Sequence, residues 1–317
     1  MLRRPFLPLA VALCALASSS PARAGSTYIA LGDSLTFGET DLIYRQSLGD
    51  RGYVGLVANS LAARNGGVRP TVINLAIDGE TSASFTTAAG RVAPVVGRTD
   101  AILAAENLNY ANSTGVSQAT MFQQMVAAQQ AAGNTVSTVS ITLGTNDLFS
   151  LFNAPGFTPG SAVDPMLAAT LATYRANDLA VLSMIRNLLP TATILVVGTY
   201  NPFPADPTNT FGPLAAVAGP MFGSVMQSVA AQVGAQYINI APAFVGQESA
   251  LTYQGILPQN STVGGTYGGS LPLGNVHPNA QGYAAIANAI TVPEPSSLIL
   301  LGLGLAGSLA AARRRVA

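Results

Sequence analysis

The chain has no lysine, a single histidine at His277 and a single cysteine at Cys14 in 317 residues. Each scarcity removes a class of chemistry. With the only thiol close to the amino terminus, the body of the protein has neither disulfides nor cysteine chemistry. One histidine and scattered carboxylates cannot assemble an ordinary zinc site, so no metal and no other cofactor is called for. The glycine-rich stretch Gly264 to Gly269 has no lysine to serve as a phosphate-binding loop and does not lead from a strand into a helix, so it reads as a flexible loop upstream of His277. No Pro/Ser linker and no repeat divides the chain.

What is present begins at the two ends. Residues 1–24 carry Arg3 and Arg4, an apolar run from Phe6 to Ala17, and Ala22-Arg23-Ala24, the small-x-small form of a signal-peptidase site. They read as a secretion signal. At the other end, residues 292–317 hold Pro293-Glu294-Pro295, an uncharged apolar stretch from Ser296 to Ala312, and Arg313-Arg314-Arg315. That stretch sits at the low edge of the roughly 20 residues a spanning helix needs. The arginines belong on the cytoplasmic side, which leaves the rest of the chain outside. This order is similar to the PEP-CTERM sorting signal of Gram-negative bacteria. The resemblance implies an exosortase-type processing enzyme as a partner and transient membrane anchoring by a C-terminal transmembrane helix. It also implies delivery to the periplasm, outer surface or extracellular matrix, with a plain membrane anchor as the other reading.

Between these ends, residues 25–291 are long enough for one domain with a substantial core. Setting aside Arg3, Arg4, Arg23, Arg313, Arg314, Arg315 and Glu294 leaves eight basic and 13 acidic groups, a net charge near minus five. An acidic domain without basic clusters excludes nucleic acid as a natural partner.

Short apolar or β-branched runs occur at 27–31, 71–75, 136–143, 193–197 and 236–240, and helical stretches at 53–64, 117–132, 165–189, 214–233 and 280–290. Continuous apolar strands such as Ile194-Leu195-Val196-Val197 are those of a sheet covered on both faces. The expectation is an α/β fold, a three-layer parallel sheet of about five strands with helices on both faces. Ligands of such sheets sit beyond the carboxyl ends of the strands. There the sequence places Asp33 and Ser34, then Asn74 with Asp78-Gly79-Glu80-Thr81, then Gly144-Thr145-Asn146-Asp147, with His277 ahead of the last helix.

This is the equipment of acyl transfer. A serine hydroxyl becomes a useful nucleophile when a neutral imidazole takes its proton. The oxyanion that forms needs fixed donors, which the backbone N–H groups of Ser34 and Gly79 and the side-chain amide of Asn146 can provide. Glycine at 79 permits close approach or a positive φ. Other readings of the same residues exist: Ser34 as the N-cap of the following helix, Asn146 as a turn residue, His277 as a loop histidine. Asp33 reads as support for the turn, and Asp147, Glu80 and Arg45 as hydrogen-bonded framework or solvated surface.

The four blocks together resemble the SGNH, or GDSL, hydrolase superfamily of esterases and lipases. They are Gly32-Asp33-Ser34-Leu35 through Gly38, Asn74-Leu75-Ala76 with Gly79, Gly144-Thr145-Asn146-Asp147, and His277-Pro278-Asn279 with Gly282-Tyr283. The resemblance implies a flavodoxin-like sheet and hydrolysis of esters or thioesters, with Ser34 as nucleophile and His277 as base. Its members include lipases, acyl-thioesterases, arylesterases and carbohydrate deacetylases.

One position departs from the pattern. Where family members carry an aspartate three residues before the histidine, this chain has Gly274. A backbone carbonyl near Leu273 or Gly274 would then orient the imidazole in a Ser-His dyad, and Asp33, Asp78, Asp147 and Glu248 are further candidates for the acid. The same departure opens a contrasting reading, a catalytically silent surface or matrix protein that binds glycan on this fold.

Overall fold

The structure, a computed structural model, describes residues 25–38, 51–91, 115–152, 154, 165–202, 211–252 and 277–291. Both terminal segments, Arg45, Gly274 and the glycine-rich stretch 264–269 lie outside these residues.

The apolar runs become five parallel strands: β1 (Ser26–Gly32), β2 (Thr71–Asn74), β3 (Thr135–Thr142), β4 (Thr193–Val197) and β5 (Gln236–Ile238), in the order β2-β1-β3-β4-β5. This is the flavodoxin-like order, whose switch point lies between β1 and β3. The register sets Gly32 beside Thr142 and Ala30 beside Asn74. All strands run the same way, so the residues following β1, β2 and β3 emerge along one edge of the sheet.

Alternation along each strand builds two cores. Ile29, Leu31, Ile73, Val139, Ile141 and Ile194 face one side. There they meet Phe122 and Val126 of α4 (Gln118–Ala131), Val181 and Leu182 of α6 (Pro165–Leu188), and Phe222 and Met226 of α7 (Phe211–Gln232). Tyr28, Ala30, Val72, Leu195 and Val197 face the other side, against Tyr53, Val54 and Val57 of α2 (Gly52–Arg64) and Tyr283, Ile286 and Ile290 of α9 (Ala280–Thr291). Among the described residues no helix is long and apolar enough to cross a membrane.

The shorter elements belong to the edge where the polar motifs gather. Helix α1 (Ser34–Phe37) follows β1 directly, and α3 (Ser84–Thr87) follows the Gly79 turn. Helix α5 (Thr145–Phe152) starts at the segment where Asn146 had a turn as its other reading, and α8 (Glu248–Leu251) precedes the segment leading to His277. Leu148 and Leu151 explain α5: spaced one turn apart, both are buried in the first core.

Candidate active site

Ser34 owes its position to its two neighbours. Gly32 has φ +123°, and a Cβ there would lie 2.1 Å from the Thr142 carbonyl oxygen, so only glycine lets β1 turn this tightly against β3. Asp33 is the N-cap of α1. Its carboxylate accepts the Leu35 N–H at 3.1 Å and the Thr142 hydroxyl at 2.7 Å. The capping role therefore falls to Asp33, and Ser34 is the first residue of the helix with its hydroxyl uncommitted to the backbone. Burial pushes the Asp33 carboxyl up to about 7, against the opposing pull of those two donors. Thr142 belongs to a chain of hydroxyls through the interior, in which Thr36 touches it at 2.8 Å and Tyr53 touches Thr36 at 2.6 Å. The floor of the turn is thus polar, buried and hydrogen-bonded throughout.

His277 arrives from the opposite end of the chain. Asn279 ties its segment to α8: its backbone N–H donates to the Leu251 carbonyl at 2.9 Å and its side-chain amide to the Ala250 carbonyl at 2.7 Å. The Asn279 side-chain oxygen then caps α9 by accepting the N–H groups of Gln281 and Gly282. Gly282 allows this approach, because a Cβ there would meet the Leu251 carbonyl oxygen at 2.2 Å. The result is a contact of 2.7 Å between His277 Nε2 and Ser34 Oγ. Both residues remain partly accessible while the residues around them are buried. Even so, the protein packed about the imidazole disfavours its cation and lowers the pKa from 6.5 to about 4. The ring is neutral near pH 7, and a neutral ring can accept a proton.

The donors named in the sequence sit at the neighbouring turns. Gly79 is buried with φ +74°, the conformation for which glycine is suited. Among the described residues, neither the Ser34 N–H nor the Gly79 N–H has a protein acceptor. Asn146 is buried, and its side-chain amide donates one hydrogen to the Glu80 carbonyl at 2.9 Å, which leaves the second for a ligand. Buried N–H groups without partners are rare and ask for an explanation. Asn74, the first residue of the second block, is framework: its amide donates to the Thr36 carbonyl and its oxygen accepts the Ala76 N–H.

Of the candidate acids, Asp147 uses both carboxylate oxygens on Ser82, at 2.9 Å from the backbone N–H and 2.6 Å from the hydroxyl. Glu248 accepts the Gly246 N–H, Asp33 is occupied as described, and Asp78 is buried. Leu273 and Gly274 lie outside the described residues. No group of three or more His, Cys, Asp or Glu among the described residues could hold a metal ion. A cleft of about 490 Å³ is lined by Thr81, Asp147, Leu151, Met166 and Thr170; Thr81 and Asp147 stand next in sequence to Glu80 and Asn146.

Two residues outside the sequence motifs prove central to this edge. Gln118, at the start of α4, and Arg91 both bond the Glu80 carboxylate. Neither stands in a recognisable pattern, since a glutamine in a first helical turn is ordinary.

Comparison with known proteins agrees with this architecture. Residues 30–285 match the GDSL-like Lipase/Acylhydrolase family, and residues 291–315 match the PEP-CTERM protein-sorting motif. No curated protein matches the chain. Among solved structures, an acetylxylan esterase from Geobacillus stearothermophilus is 16% identical with a TM-score of 0.50, over 84% of this chain and 93% of that one. A phospholipase A1 from Streptomyces albidoflavus is 20% identical with a TM-score of 0.48, over 83% and 95%. At 16% identity the likeness to the esterase concerns the fold.

Proposed function

We propose that this chain, which belongs to the GDSL-like lipase/acylhydrolase family of ester hydrolases, cleaves carboxylic esters through an acyl-enzyme on Ser34 with His277 as general base. The observation that carries the reading is the 2.7 Å contact between Ser34 Oγ and His277 Nε2, together with a ring kept neutral by burial.

As Ser34 Oγ bonds to the carbonyl carbon of the ester, its proton passes to His277 Nε2 and the carbonyl π pair moves onto oxygen. The oxyanion takes hydrogen bonds from the Ser34 and Gly79 N–H groups and the second N–H of Asn146. Loss of one such donor typically costs about 100- to 1,000-fold in rate. Collapse of the tetrahedral species breaks the bond to the alcohol oxygen, which leaves with the proton from the imidazolium. Water then attacks the acyl-enzyme, gives a proton to the same imidazole, and the second collapse returns that proton to Ser34 as the acid departs. The cleft beside Thr81 and Asp147 provides room for a substituent of the ester.

The PEP-CTERM motif supports export to the cell envelope or surface, with cleavage near Pro293 to Pro295 by an exosortase-type enzyme; removal of residues 1–24 rests on the signal-peptidase pattern Ala22-Arg23-Ala24. An exterior position beside exopolysaccharide makes acetylated glycans the first substrates to try, and lipid esters the next.

An active-site phosphonate probe and p-nitrophenyl acetate test the reading. Wild-type protein labels and turns over, and both signals disappear in Ser34→Ala; His277→Ala also loses turnover. A protein that neither labels nor hydrolyses is the silent glycan binder instead.

A further inference from the structure

Glu80 occupies an unusual place for a carboxylate. It is 0% exposed and lies directly after Gly79, at the turn that follows β2. Its Oε1 accepts the Ser84 hydroxyl at 2.5 Å and Arg91 Nε at 3.1 Å; its Oε2 accepts Arg91 Nη2 at 3.4 Å and Gln118 Nε2 at 2.9 Å. Neither side chain of the Arg91 pair is exposed. A fully buried ion pair is weak evidence for stability, because desolvating both charges offsets much of their attraction. Apolar residues of similar volume would fill the space as well. The reason for a charge here has to be sought in what it holds.

Gln118 carries the connection onward. Its Nε2 donates one hydrogen to Glu80 and the other to the Gly32 carbonyl at 2.9 Å, while its Oε1 accepts the Gly32 N–H at 2.5 Å. Both ends of its amide thus clamp the residue two before Ser34. The orientation is fixed, since a flipped amide would set its oxygen against the Glu80 carboxylate. On the other side, the Glu80 carbonyl is the acceptor that fixes the Asn146 amide. One buried residue therefore joins the three turns after β1, β2 and β3.

We propose that Glu80 is a positioning residue that sets the distance between the Ser34 hydroxyl and the Asn146 amide, through Gln118 and Gly32 on one side and its own carbonyl on the other. The inference rests on reading Ser34 as nucleophile and Asn146 as oxyanion donor. Its physical basis is the steepness of catalysis in geometry: a misplacement of about 1 Å can cost about 100-fold in rate. Ground-state binding in the open cleft depends far less on that distance. Loosening the link lowers kcat and leaves KM in place.

The test uses Glu80→Gln and Gln118→Met in the full chain. Glu80→Gln places an amide against the Gln118 amide and removes the negative charge that Arg91 Nε and Nη2 contact. Gln118→Met keeps the ion pair and the volume but removes the clamp on Gly32, so it carries the test if the first variant does not fold. The folded fraction is set by circular dichroism at the assay temperature, and kcat and KM for p-nitrophenyl acetate are taken per folded molecule. We expect kcat to fall about 10- to 100-fold with KM within about twofold, and phosphonate inactivation to slow in parallel, the scale set by the geometric sensitivity above. Combined with Asn146→Ala, Gln118→Met adds less than its separate loss, because both act on one distance. Normal kcat per folded molecule with only a lowered melting temperature, or a rise in KM alone, overturns the inference. Full activity in Ser34→Ala would overturn the underlying hydrolase reading instead, which keeps the two failures apart.

Discussion

At the scale of single residues, the imidazole carries the sharpest consequence. A base works in its neutral form, so activity falls as the pH drops through its pKa. With burial holding His277 at about 4 instead of 6.5, the acid limb of kcat/KM has its midpoint near pH 4, and the enzyme keeps most of its activity at pH 5.5. A midpoint near 6.5 in a pH-rate profile would contradict this. The same depression acts on stability with a definite sign. The unfolded chain takes up a proton below about 6.5 and the folded one does not until near 4, so this group removes stability as the pH falls across that window. Ser34, Gly79, Asn146 and His277 could be named from the sequence as candidates because each stands in a short motif that suits the proposed chemistry. Gln118 was not legible, since its role arises from clamping Gly32 across 86 positions of chain. Glu80 was legible only as framework; that it ties together three turns follows from contacts no local pattern encodes.

At the scale of elements, the sequence pattern located all five strands and the long helices to within a few residues, because strands buried on both faces are continuous apolar runs. The short helices α3, α5 and α8 were not located, and the Gly144-Thr145-Asn146-Asp147 start of α5 also allows a turn. It becomes a helix because Leu148 and Leu151 reach the core, a tertiary reward that turn composition cannot show. The approach of α9 to α8 gives an element-level prediction. In Gly282→Ala the new methyl meets the Leu251 carbonyl oxygen at 2.2 Å, and α9 must shift away together with the Asn279 cap that carries His277. We expect a loss of about 1–3 kcal/mol in urea unfolding, the usual cost of overpacking. Turnover of the folded protein should fall as well. Unchanged turnover in the folded variant would mean that the position of His277 does not depend on this contact.

At the scale of the whole molecule, the described residues of both cores and of the candidate site run from β1 to α9, whose last residue, Thr291, accepts a hydrogen bond from Arg64 through its carbonyl at 2.7 Å. A chain of residues 25–291 should therefore fold and hydrolyse p-nitrophenyl acetate within about twofold of the longer protein, because it keeps every residue of the two cores described. Ending the chain at 276 removes His277, the proposed base, and α9, whose Tyr283, Ile286, Ala287 and Ile290 belong to the second core. Equal melting temperatures and kcat/KM for the two longer forms support this division, and a sharp drop on removing 292–317 would refute it. The PEP-CTERM segment was readable from composition and order alone, since sorting signals are recognised as linear chain.

The central claim is that an ester leaves its acyl group on one hydroxyl. Rapid mixing with p-nitrophenyl acetate, quenched in acid and followed by peptide mass analysis, tests it directly. The account predicts a burst of about one nitrophenolate per folded protein and an added acetyl group on Ser34, absent in Ser34→Ala, the burst being the kinetic fingerprint of an accumulating acyl-enzyme. Steady hydrolysis with Ser34 unmodified, or an acetyl group on another residue, would contradict it.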